Sequence, residues 1–315
     1  MLTRRAALLS TLAAGACVTP RGGAPMDARF GNLETQSDSV HSGVSSEDGS
    51  KRLTVRLCHY PELGLAWVWI HARTPEGFFS YVDHVSPAQL VSDQAFGRTY
   101  RDNARTLEFT RMGEKERPRG ATITGSCLAR KSPTSMFGKG EHRVNLSVEF
   151  SPERSYSGLN AGRTEVFGRA RAVVTIDGRR TEIEGPAQFH EQGQTNPRFT
   201  APFCYMTLWG DGAASTMLIT ARRRDGYLLE GNGSSEVTDV IIDPPAMQRK
   251  LKVTLADGRA LAGEAVVVQA YTIPIVGTTW RGHMVNVELG GRSYRGHIND
   301  FIIGDGVPHG GVPAT

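Results

Sequence analysis

The stretch Phe189-His190-Glu191-Gln192-Gly193-Gln194 sets an imidazole, a carboxylate and two amides side by side, between two runs that read as β-strands. Imidazoles and carboxylates move protons, and amides orient bound molecules. Successive side chains on a strand point to opposite faces. Run as a strand, this segment sends His190, Gln192 and Gln194 to one face and Glu191 to the other. The expected geometry has His190, Gln192 and Gln194 facing a cavity together, with Glu191 anchoring an arginine such as Arg198. His190 and Glu191 would share one ligand only if Gly193 or Pro186 bulged the strand. Alternation also puts Trp67 and Trp69 of "LAWVWIHA" on one face, and with Tyr205 and Trp209 of "FCYMTLWG" they are the candidate walls of a substrate pocket.

Other chemistries find little support. No G-x-S-x-G elbow is present, so no Ser-His-Asp set is justified. The short glycine pairs lack the strand-to-helix context that phosphate binding needs. Neither C-x-x-C nor a zinc-ligand spacing occurs, and neighbours on a strand cannot share a metal, so no metal and no cofactor are expected. His71, His84, His283 and His297 stand singly on strands or at their ends and read as structural.

The elements that must position these groups are strands. Apolar segments of about 5–9 residues alternate with turn residues, and long helical periodicity is largely missing. "RARAVVTI" meets "RRTEIEG" across Asp177-Gly178, a two-residue hairpin signal. Asp211-Gly212, Asp225-Gly226, Asp257-Gly258 and Gly290-Gly291 punctuate the rest in the same way. One short helix is expected near Ser86–Gln94, where Pro87 would open a turn. The fold class is all-β, an antiparallel up-and-down arrangement with strands enough for two barrels of about 8 strands each, a size whose interior holds one small ligand. The changeover is expected in 144–157, giving an N-terminal barrel over 52–150 and a C-terminal barrel over 151–315.

The N-terminus reads as an export signal. "MLTRRAALLSTLAAGACVTP" has a twin arginine at Arg4-Arg5, a short apolar run, and small residues Ala14-Gly15-Ala16. This gives a signal peptide over 1–16; the Ser, Gly, Asp and Pro composition that follows reads as a flexible tether over 17–51, with room for one early strand. Cys17 sits where a lipidated cysteine would, which would associate the chain with a membrane. Ala14, however, occupies the position where a lipobox carries Leu, Val or Ile, so cleavage without lipid is favoured. Of the remaining cysteines, Cys58, Cys127 and Cys204 lie in strand-like contexts, and both a disulfide and buried free thiols stay open.

Among 315 residues the net charge is only +4, lysine is scarce, and the arginines are scattered. Nucleic-acid binding needs a basic stripe interleaved with aromatics, and none is seen. No obligate protein partner is evident either.

The run "GRTEVFGRARAVVTIDGRRTEIEGPAQFHEQGQ", followed by "FCYMTLWGDGAASTMLITARRRDG", resembles the lipocalin-like double β-barrel superfamily. That superfamily includes the carotenoid 1,2-hydratases (hydroxyneurosporene synthases), AttH-like proteins and kievitone hydratase-like proteins. The close of the chain, "VNVELGGRSYRGHINDFII", resembles the end of the same pattern. The similarity spans roughly 163–303. The chain reads Gln192-Gly193-Gln194 where the family commonly carries a tryptophan, and Asp300 where its closing strand more often has Glu. The resemblance implies two consecutive lipocalin-like (calycin-type) barrels binding a hydrophobic isoprenoid- or lipid-like molecule. It further implies a hydro-lyase activity, by hydration, dehydration or cyclisation at a carbon–carbon double bond. It selects His190, Glu191 and Asp300 as catalytic candidates, with Asp83 a further acid. A carboxyl buried against apolar walls would stay protonated and act as the acid. A non-catalytic periplasmic carrier is the alternative.

Overall fold

The computed structural model describes residues 36–87, 92–94, 97–133, 138–195, 198–199, 201–275 and 278–302. The export signal, Cys17 and most of the tether lie outside these residues. Nineteen strands follow one another: β1 (Ser37–Ser45), β2 (Arg52–Tyr60), β3 (Leu65–Thr74), β4 (Gly77–Pro87), β5 (Ser92–Gln94), β6 (Gly97–Arg101), β7 (Leu107–Gly113), β8 (Pro118–Lys131), β9 (His142–Tyr156), β10 (Arg163–Ile176), β11 (Arg179–Gln194), β12 (Phe203–Gly210), β13 (Ala213–Ile219), β14 (Arg224–Glu230), β15 (Gly233–Ile242), β16 (Gln248–Leu255), β17 (Ala260–Ile275), β18 (Thr278–Leu289) and β19 (Arg292–Ile302). A 3-10 turn, Pro61–Leu63, joins β2 to β3.

Turn chemistry fixes much of this order. Asp177 (φ 48°) and Gly178 (φ 85°) both take the left-handed conformation that a tight hairpin between β10 and β11 requires. Asp225-Gly226 is different: both residues lie inside β14. A Cβ at Gly226 would come 2.1 Å from the Thr216 carbonyl oxygen, so this glycine permits close strand approach rather than a turn. Of the expected helix at 86–94, residues 88–91 lie outside the described residues, and both ends are strand instead. Ser86 and Pro87 end β4, Ser92–Gln94 form β5, and the Ser86 hydroxyl donates to buried Asp102 at 2.8 Å instead of capping a helix.

The strands build two antiparallel barrels. The first sheet runs β4-β3-β2-β1-β11-β10-β9-β8-β7-β6-β5, and a β4–β8 contact at Phe79↔Lys131 and Ser80↔Arg130 closes its main ring. The second is a closed eight-stranded barrel, β12 to β19 in chain order. The expected changeover at 144–157 is therefore corrected. β9, β10 and β11 all belong to the first barrel, and the chain crosses to the second between 195 and 202. The long β9–β10 ladder explains why, since Val144 to Tyr156 pairs along nearly its whole length with β10. The early strand that the tether reading allowed is β1, and it is a barrel strand between β2 and β11, so the described end of the expected tether belongs to the first barrel.

Both interiors are filled. Val40, Leu57, Ile70, Phe109, Val148, Val174 and Phe189 belong to one core cluster, and Met206, Leu228, Val253, Val285 and Ile298 to another. Apolar burial of this extent is the main stabilising contribution of each barrel. Cys58, Cys127 and Cys204 are buried free thiols. Among the described residues no helix is long and apolar enough to cross a membrane.

Candidate functional site between the barrels

Alternation along β11 gives the site its first wall. Ala187 and Phe189 enter the first core, whereas His190 and Gln192 point outward. Antiparallel pairing then lines up one lateral row across five strands. Trp69 pairs with Arg56, Arg56 with His41, His41 with His190, and His190 with Glu165. All five side chains leave the barrel on the same outer face, because register fixes the face of every partner. That face is covered by the second barrel.

Two apolar flanks hold the barrels together. On one side Trp67, Trp69 and Phe78 pack with Tyr271, Ile273, Met284 and Phe301. On the other, Leu159 and Phe167 pack with Tyr205, Trp209, Tyr227 and Leu229. Between the flanks lies a cavity of about 300 Å³. Aromatic side chains form one wall: Trp69 meets Trp280 edge-on at 5.5 Å, and Phe199 and Phe203 lie 5.7 Å from the Trp280 ring. Polar groups form the other, with His41, Arg56, Arg163, His190 and Tyr205 among them. From the second barrel Asn299 and Tyr271 contribute. Gly282 makes room for Tyr271, whose ring would lie 2.1 Å from a Cβ at that position.

The polar wall is tightly wired. Arg163 pairs with Glu165 at 2.6 Å and donates to the Tyr205 hydroxyl. Tyr205 in turn donates to Glu165 Oε1 at 2.6 Å, and Tyr227 donates to Oε2. Glu165 is 1 % exposed, so its charge is held by three partners rather than by water. Arg163 Nη2 also lies 3.1 Å from His190 Nδ1. A guanidinium only donates, so His190 Nδ1 must accept and the ring proton sits on Nε2. His190 stacks on His41 at 5.1 Å, and His41 meets His297 edge-on at 5.5 Å.

These imidazoles are neutral. Burial, reinforced by Arg56 and Arg163, lowers His41 to about 3. Burial lowers His71 to about 3, and it drives His190 and His297 well below the usual imidazole value. Burial also raises Tyr205 well above an ordinary phenol, against the pull of Arg163, so its hydroxyl keeps its proton.

The expected site residues divide. Trp69, His190, Gln192, Gln194 and Tyr205 line the cavity. Trp67 stands behind this wall, stacked on His84 at 4.0 Å, and Trp209 packs on His297 in the barrel interface. Glu191 does not face the cavity. It points into the first barrel, where Arg111 and the Tyr100 hydroxyl (3.1 Å) hold it. Its expected partner Arg198 is on the opposite side, donating to Ser37 Oγ and the Gln192 carbonyl. Asp300 does not face the cavity either. It lies inside the second barrel, 1 % exposed, in a two-point pair with Arg249 at 2.8 and 3.2 Å. Asp83 accepts hydrogen bonds from Tyr81 and the Val85 backbone, away from the cavity. Sequence reasoning missed Arg56, His41 and Glu165. The i, i+2 pair Arg163/Glu165 was the available signal, whereas Arg56 reads as an ordinary outward side chain of "RLTVRLCHY".

No family model matches the sequence, and no curated protein matches it. Solved structures do match in fold. CghA with Sch210972 superimposes with a TM-score of 0.60 at 12% identity, covering 87% of this chain and 90% of that one. The AttH-type protein NE1406 of Nitrosomonas europaea superimposes with a TM-score of 0.52 at 9% identity, covering 91% of this chain and 98% of the other. Kievitone hydratase from Nectria haematococca gives 0.46 at 7% identity, over 85% of this chain and 89% of the other. With its two docked antiparallel barrels, the chain has the lipocalin-like double β-barrel fold that CghA and the AttH-type protein share.

Proposed function

We propose that the inter-barrel cavity binds a hydrophobic, unsaturated small molecule and transforms it by hydration, dehydration or cyclisation at a carbon–carbon double bond. One observation carries this reading: the cavity sets an aromatic wall against a buried, hydrogen-bonded acid–base cluster of His190, Tyr205, Arg163 and Glu165. Tyr205 bridges the cavity to Glu165, so its hydroxyl can relay a proton between a bound molecule and that carboxylate. His190 offers Nε2–H as a fixed donor.

The charge of the wall selects among routes. Protonating an isolated alkene makes a carbocation, and three guanidiniums line this cavity (Arg56, Arg163 and Arg198) while no carboxylate does among the described residues. Like charges in a poorly solvated site repel strongly. Clustered donors instead favour routes in which negative charge grows on oxygen, such as adding water to a double bond conjugated with a carbonyl, or a cyclisation assisted by polarising that carbonyl. The expected role of a neutral carboxylic acid inside the cavity is thereby replaced by donor groups.

The lack of a lining carboxylate favours a second reading, a non-catalytic carrier of the same ligands. Incubating the purified protein with prenyl, polyene and conjugated unsaturated substrates, followed by mass spectrometry and chromatography, separates the two. A product with one added or lost water, or an isomeric ring, whose yield drops in Tyr205→Phe, is expected. Binding without any conversion would establish the carrier. We also propose export, on the strength of Arg4-Arg5 and the small residues before Cys17.

A further inference from the structure

Glu165 accounts for the charge of only one arginine in the cavity. Arg56 is 7 % exposed, its Nη1 has no hydrogen-bond partner, and no carboxylate pairs with it among the described residues. Its guanidinium carbon lies over the Trp69 ring, 4.5 Å from the centroid, with the Phe199 ring at 5.9 Å. Among the described residues Arg198 likewise has only neutral partners, Ser37 Oγ and the Gln192 carbonyl. On the second barrel, Asn299 is 3 % exposed and its Oδ1 is unpartnered.

A guanidinium taken out of water without a counter-charge is costly, and ring stacking recovers only part of the loss. The flat fork of Arg matches a carboxylate or enolate in two-point contact. Resting on the reading of the cavity as a small-molecule site, we infer that its ligand is an organic anion. Its planar, singly charged head is held by Arg56 and Arg198, and its apolar body lies against Trp280, Phe199 and Phe203.

Geranate, geraniol and methyl geranate share one apolar body and differ in head-group charge. Titrated calorimetrically into the full chain at pH 7.5, geranate should bind about 30-fold more tightly than either neutral analogue, as a charge-assisted pair implies. In Arg56→Gln the preference should shrink to within about threefold, with geraniol affinity kept as the sign of an intact cavity. Equal binding of all three by the native protein overturns the anion inference and leaves the cavity reading standing. Failure of all three to bind overturns both. A preference that survives in both Arg56→Gln and Arg198→Gln overturns the assignment to these arginines.

Discussion

A Cβ at Gly43 would lie 3.0 Å from Trp209 Cη2 and 2.9 Å from His297 Nε2, so the second barrel rests directly on the backbone of β1. The contact is fixed from both sides, because His297 Nε2 also bonds Thr54 Oγ1 at 3.0 Å on the neighbouring strand. Glycine here serves close approach between barrels. Gly43→Val should push the barrels apart and cost about 1–3 kcal/mol. Urea unfolding measures the loss, and ligand affinity should fall with it. Unaltered stability would mean that the barrels do not meet here.

Asp300→Asn and Glu191→Gln should act on stability rather than chemistry. Each leaves a buried guanidinium, Arg249 or Arg111, without its counter-charge. Breaking such a pair costs about 3–5 kcal/mol. Turnover per folded molecule, with the folded fraction taken from circular dichroism, should stay within about threefold of the native protein. A 100-fold loss in a fully folded variant would return these carboxylates to the chemistry.

Tyr205→Phe tests the relay. It deletes one oxygen and leaves Glu165 paired with Arg163 and Tyr227. Product formation should drop by about 100-fold, the lower end of what a positioned proton-transfer group supplies. Affinity for an unreacted ligand, followed by tryptophan fluorescence, should change far less.

Acid should loosen the structure before the carboxylates titrate. His41 and His71 hold their neutral form down to about 3, whereas in the unfolded chain they take up protons near 6.5. Below that value the unfolded chain binds more protons, so the contribution is complete above pH 6.5 and is lost as pH falls toward 3. The loss is about 1.4 kcal/mol per pH unit for each such imidazole. Urea midpoints at pH 7.5, 5.5 and 4.5 should decline steadily, with a shallower slope in His41→Gln. A flat profile would contradict the burial of these rings.

The fold was largely legible in the sequence because hairpin turns and strand alternation are local properties. Asp177-Gly178 announces its hairpin through the backbone it needs, and β11 obeys the pleat from Ala187 to Gln194. What was not legible depends on which outer face meets which. Nothing local in "RLTVRLCHY" says that Arg56 will be covered, since the rings that meet it, Trp69 and Phe199, come from β3 and from beyond β11. The changeover was misread for a related reason: β9 and β10 look alike whether they close one barrel or open the next. Glu191 illustrates both sides. Alternation separates it correctly from His190, but its partner Arg111 is 80 residues earlier and reaches it only through barrel closure.

Because the cavity is walled by two exteriors, neither half of the chain encloses it alone. Severing the segment 195–202 would leave each fragment its own packed interior, yet divide Arg56 and His190 from Asn299 and Trp280. On the proposed small-molecule reading, recognition is a property of docking, and surface substitutions along the seam should retune ligand choice while both interiors stay untouched.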